Sequence, residues 1–182
     1  MSRLPTAAAC VVLALTACGG GPPRVPEPAP AAPERHIAAT GTAQRAIANL
    51  ASASGSLVSG RVVLTQAADG VRIRGEIGGL VRNGAHGLQV HERGDCSAVD
   101  AGSAGRYYDP RTGPRQSGGV GETPGRIIAG SDGVSRADLL VPGAVLGGGA
   151  DNDIAGRALL VLGATPGAIS ARVACGVITI PE

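Results

Sequence analysis

Residues 84–96 read GAHGLQVHERGDC. In an extended strand alternate side chains share a face, so Gln89 and His91 stand together where a pair of metal ligands would stand. Imidazole suits copper and zinc, whereas a neutral amide is a weak donor. The chain has three histidines, His36, His86 and His91, and none follows His91. His86 shares its face with Leu88 and Val90 and reads as a buried histidine bonded to backbone. His91 reads either as a metal contact or as a polar surface or loop-anchoring residue, and His36 has no specific role. Other chemistries lack their groups. No G-x-S-x-G elbow lies between a strand and a helix. GGVGETPG and VLGGGADN have neither a following helix nor a phosphate-binding lysine, so their glycines suit loops that need positive φ.

The elements that must carry these residues are strands. SLVSGRVVLTQ (56–66), GVRIRGEIGG (70–79), HGLQVHE (86–92), RALLVLG (157–163) and RVACGVITI (172–180) are short β-branched runs separated by glycine-rich turns. In GVRIRGEI the apolar Val71, Ile73 and Ile77 alternate with Arg72, Arg74 and Glu76, which predicts a sheet with one wet face. Asp69-Gly70 marks a tight hairpin between two of these runs. RAIANLASA (45–53) reads as a helix by propensity, or its first part as an edge strand. Residues 93–125 have little periodicity and predict one long excursion of the kind that is functional or pinned. With thirty glycines and no Phe or Trp, the whole predicts an all-β sandwich or flattened barrel of about seven or eight antiparallel strands around a Val, Ile, Leu and Ala core.

The chain ends add an address. Residues 1–18 combine Arg3, an apolar run and a small-residue segment, the layout of an export signal. The apolar run from Ala7 to Ala17 is shorter than the ~20 residues that cross hydrocarbon. Leu15-Thr16-Ala17-Cys18 followed by glycine resembles a bacterial lipobox, which makes Cys18 the expected lipidation site and mature N-terminus. Residues 19–35, GGGPPRVPEPAPAAPER, read as a semi-rigid tether, leaving 36–182 as the folded domain. Of the four cysteines, Cys10 leaves with the signal and Cys18 carries lipid, so Cys96 and Cys175 form one disulfide in an oxidising compartment or persist as buried thiols. A formal charge of +2, with both signs mixed along the chain, predicts no concentrated basic patch and argues against nucleic acid.

Taken together, GEIGGLVRNGAHGLQVHERGDC, SAGRYYDP (103–110), AGRALLV (155–161) and ARVACGVITI (171–180) resemble the copper/zinc superoxide dismutase family over most of residues 45–181. The resemblance implies a Greek-key β-barrel of about eight antiparallel strands with a disulfide joining loop to barrel. It also implies a copper held by four histidines, one of them bridging to a zinc completed by two further histidines and an aspartate. Matched residue by residue, Gln89 takes the first copper position and His91 the second. Tyr107 takes the bridging position, Arg115 and Gly119 the two zinc histidines, Glu122 the zinc aspartate and Leu162 the last copper histidine. Five of the six histidine ligands are thereby replaced. Arg172 matches the family's anion-guiding arginine, or keeps a structural partner. The family's steering loop shrinks to GATPGAISA (163–171), which has no charge.

The expectation is a non-catalytic, superoxide dismutase-like lipoprotein at the bacterial envelope, anchored in the bilayer through Cys18. It would have no cofactor and would serve a binding or structural role toward an envelope or extracellular protein, with a homodimer as a further arrangement. The alternative is a metal-binding homologue with residual or altered redox activity, holding copper or zinc at a rebuilt site around His91, with Glu122 as a second candidate ligand.

Overall fold

The computed structural model describes residues 34–115, 125–163 and 171–182. Its strands are β1 (Arg45–Ser52), β2 (Ser59–Ala67), β3 (Gly70–Gly78), β4 (Ala85–His91), β5 (Tyr107–Asp109), β6 (Gly113–Arg115), β7 (Arg126–Ile128), β8 (Ser135–Pro142), β9 (Ala158–Leu162) and β10 (Arg172–Thr179). The sheet order is β6-β5-β4-β9-β10-β1-β2-β3-β8, with β7 beside the start of β4. All these ladders are antiparallel. β4 follows β3 in the chain yet lies beside β9, and β8 returns to β3, which is the Greek-key crossing that the resemblance implies. Among the described residues no backbone ladder joins β8 to the β4 end, so the barrel is closed by packing.

Two expectations change. Arg45–Ser52 is neither a helix nor an edge, since β1 lies between β10 and β2. Its alternating Ala46, Ala48 and Leu50 are buried, so packing on both sides overrides the helix preference of Ala and Leu. The 93–125 excursion is not structureless in its described part. It contains a 3-10 turn at Gly102–Ala104 and the β5–β6 hairpin.

The barrel interior is aliphatic. Leu64, Ile73, Ile77, Leu146, Ile154, Leu159 and Ile178 are fully buried, each contributing roughly 1.5–3 kcal/mol of transfer free energy. A second, smaller cluster holds Ala101, Ala104, Ala158, Leu160, Cys175 and Cys96. Within it Cys96 and Cys175 form a disulfide with Cα atoms 5.8 Å apart, which pins the loop after β4 to β10.

Glu34–Glu182 form one compact unit. Arg35, which the sequence places at the end of the tether, donates through Nη2 to the Tyr108 hydroxyl and to the carbonyls of Pro110 and Asp151, each at 3.2 Å. The His36 backbone N–H donates to the Asp151 carboxylate, and Asn152 ties Ala38 to Gly143. The loop VLGGGADND is built for this docking. Gly147, Gly148 and Gly149 all have positive φ, and the Asp153 carboxylate accepts from the N–H groups of Gly147, Gly149 and Ala155.

Candidate functional site

Strand β4 sets the site by parity. Gly87, Gln89 and His91 lie opposite Leu162, Leu160 and Ala158 of β9. Cross-strand partners share a face, so this set looks toward the disulfide cluster and the loop over it. His86 has the opposite parity, with Leu88 and Val90. It is buried, and its Nδ1 lies 3.1 Å from the Leu162 carbonyl, as the alternation predicts.

His91 is 2% exposed, so the surface reading gives way to the loop-anchoring one. Its Nδ1 lies 3.1 Å from the Gly105 carbonyl, a contact that requires the Nδ1–H tautomer. Nε2 is then the free lone pair, buried and without a protein partner among the described residues. Burial drives the imidazole pKa down to about 4; the Gly105 hydrogen bond opposes this and the Arg172 charge adds to it. Arg172 donates to the carbonyls of Ala101 and Gly105, each at 2.6 Å. Its guanidinium therefore clamps the loop over β4, and its positive charge disfavours a cation at His91.

Gln89 is also 2% exposed, and among the described residues neither its Oε1 nor its Nε2 has a protein partner. Leu162 is buried and lies over Gly87, where an added Cβ would come within 3.3 Å of a Leu162 methyl. Tyr107 pairs across from His91 and is half-buried; burial, then the Asp109 charge, raises its phenol pKa. Arg115 is exposed and lies 3.4 Å from Asp109, a surface pair worth ~1 kcal/mol at most. Gly119, Glu122 and Cys18 lie outside the described residues.

Both tyrosines line a cleft of about 120 Å³ between β4 and β8, walled by Ile73, Leu88, Leu139 and Val141. It lies beside the middle of β4, between the residues that pair with β7 and the one that pairs with β5. The floor of this region depends on residues that sequence reasoning missed. The Arg157 guanidinium sits 3.6 Å above the Tyr108 ring, and Arg35 holds the hydroxyl of the same tyrosine. Nothing in local sequence distinguishes these two arginines from surface ones. Gly125 closes the edge, since a Cβ there would meet the Leu88 carbonyl at 2.2 Å.

Among the described residues the donor set does not fit a copper or zinc centre. It offers one imidazole, one amide, one phenol, an aliphatic side chain and a nearby guanidinium. Among the described residues no three His, Cys, Asp or Glu side chains gather as a metal-holding group. Imidazole ligands cannot be replaced by leucine or arginine.

A family model described as copper/zinc superoxide dismutase (SODC) matches residues 58–178. Among curated proteins, superoxide dismutase [Cu-Zn] of Caulobacter vibrioides is 32% identical over 139 residues, covering 66% of this chain and 78% of that protein.

Proposed function

The chain belongs to the copper/zinc superoxide dismutase family, and from that premise we propose that it is a non-catalytic member with a binding or structural role at the cell envelope. The observation that carries this reading is the chemistry around His91. The lone imidazole of the site is buried beside the Arg172 guanidinium, while leucine fills the space over Gly87. Dismutation needs a redox metal and a group that relays protons, and these residues supply neither. The barrel, the disulfide and the Arg172 clamp are what the chain retains.

Export, acylation at Cys18 and a tether over residues 19–35 belong to the same proposal, supported by the apolar leader and its lipobox-like end. The partner in this reading is a protein of the envelope or the extracellular side, with self-association as a second arrangement.

A second reading has one observation in its favour. His91 Nε2 and Gln89 Oε1 share a face two residues apart, and both are buried without a protein partner among the described residues. A rebuilt site there, with Tyr107 or Glu122, would hold copper or zinc. Metal loading of Glu34–Glu182 followed by a superoxide-consumption assay separates the two. The non-catalytic reading expects no rate above that of the free-metal control, and the rebuilt site expects one that His91→Ala abolishes.

A further inference from the structure

The chain has no lysine, and all sixteen basic residues are arginine. Scattered along the sequence, they suggest no patch. The sheet register gathers them. Outward positions of β1, β2, β3 and β8 stack in three rows: Asn49, Arg61, Glu76 and Arg136; then Ile47, Val63, Arg74 and Asp138; then Arg45, Thr65, Arg72 and Leu140. Five exposed arginines share this face with two carboxylates, a balance of +3, whereas the whole chain carries +2. Asp69, in the turn beside Arg72, is a further carboxylate at the rim.

The internal pairs leave charge over. Asp138 is shared between Arg72 at 2.5 Å and Arg74 at 3.2 Å, and Glu76 pairs with Arg136 at 3.2 Å. Arg45 and Arg61 form no ion pair among the described residues. Neighbouring outward side chains lie ~7 Å apart along a strand and ~5 Å apart across strands. The surplus cations thus act together within a patch comparable to the ~10 Å screening length. Spread over four paired strands, the arginines suit a broad anionic plane better than a discrete ligand.

We infer that this face docks on a bilayer surface bearing anionic phospholipid headgroups. Guanidinium forks match phosphate oxygens, and each arginine held at such a surface strengthens binding about fivefold, so a surplus of three amounts to roughly a hundredfold. The inference deepens the envelope reading and rests on it, with the acyl anchor supplying proximity and the arginine face supplying orientation.

The test uses Glu34–Glu182, which lacks Cys18, so it reads the face and not the anchor. Its partition onto phosphatidylglycerol/phosphatidylethanolamine vesicles is measured by co-sedimentation at low salt, with phosphatidylcholine vesicles as the neutral reference. A triple variant Arg45→Gln, Arg61→Gln and Arg74→Gln removes the surplus at exposed positions. A control triple, Arg82→Gln, Arg111→Gln and Arg126→Gln, removes the same charge elsewhere. The expected result is binding to the anionic vesicles that weakens with salt, falls roughly a hundredfold in the face variant and changes several-fold less in the control. Equal loss in both triples, no binding by the parent, or binding to an oligonucleotide but not to vesicles would overturn the inference. Failure of acylation at Cys18 is read separately, by mass analysis of the full-length protein.

Discussion

Two glutamines in this fold predict opposite outcomes for the same substitution. Gln89 buries an amide whose two polar atoms have no protein partner among the described residues. Gln66 is fully used. Its Nε2 donates to the carbonyls of Ala67 and Gly70, and its Oε1 accepts from the Leu146 N–H at 2.9 Å. An unpaired buried polar group costs about 1–3 kcal/mol. Leucine at position 89 removes two such groups and adds branching to a packed site, so the net expectation is a gain of about 1–2 kcal/mol. For a chain of this size that raises Tm by roughly 3–6 °C. Leucine at position 66 leaves the Leu146 N–H without its acceptor and lowers stability by about 1–3 kcal/mol. Urea unfolding of Glu34–Glu182 followed by far-ultraviolet circular dichroism measures both, since the chain has no tryptophan to report. Destabilisation by Gln89→Leu as large as that by Gln66→Leu would mean that the Gln89 amide has partners of its own.

Two further outcomes follow from the same region. His91 titrates near 4 in the folded protein against 6.5 unfolded, so below about pH 6.5 the unfolded chain binds the extra proton and stability falls with pH until about pH 4. The loss over that window is about 3 kcal/mol, and His91→Gln should flatten the slope of unfolding free energy between those limits; an unchanged slope would place the titration on another group. Removing both half-cystines, with Cys96→Ser and Cys175→Ser, frees a loop with a sequence separation of 79 and is expected to cost on the order of 4 kcal/mol in the chain-entropy account. A loss below about 1 kcal/mol in urea unfolding would mean that the Arg172 clamp alone keeps the loop closed.

The sequence is legible where period and chemistry coincide. The alternation in GVRIRGEI gives β3 and its wet face, and the parity of His86 against Gln89 and His91 gives their opposite sides. It is silent where a strand's inward residues are small or polar. β8 buries Ser135 and Ala137 while exposing Arg136 and Asp138, a pattern too weak in hydrophobicity to read without its partner. β1 fails for the converse reason, because alanine and leucine favour a helix until two neighbouring strands bury them. The replaced ligand positions follow from motif order, but their environment does not. That Arg172 serves the Ala101 and Gly105 carbonyls, that Leu162 lies over Gly87 and that Arg35 reaches Tyr108 are long-range contacts with no local signature. The arginine face is of the same kind, since its members come from four strands and meet only through register.

The most direct test of the central claim is the metal content of Glu34–Glu182, with its disulfide formed, loaded with copper and zinc, desalted and analysed by mass spectrometry beside His91→Ala. The expected result is a folded protein that retains no tightly bound metal and consumes no superoxide above the free-metal control. Near-stoichiometric copper that disappears in His91→Ala would contradict it and establish a rebuilt metal centre on β4.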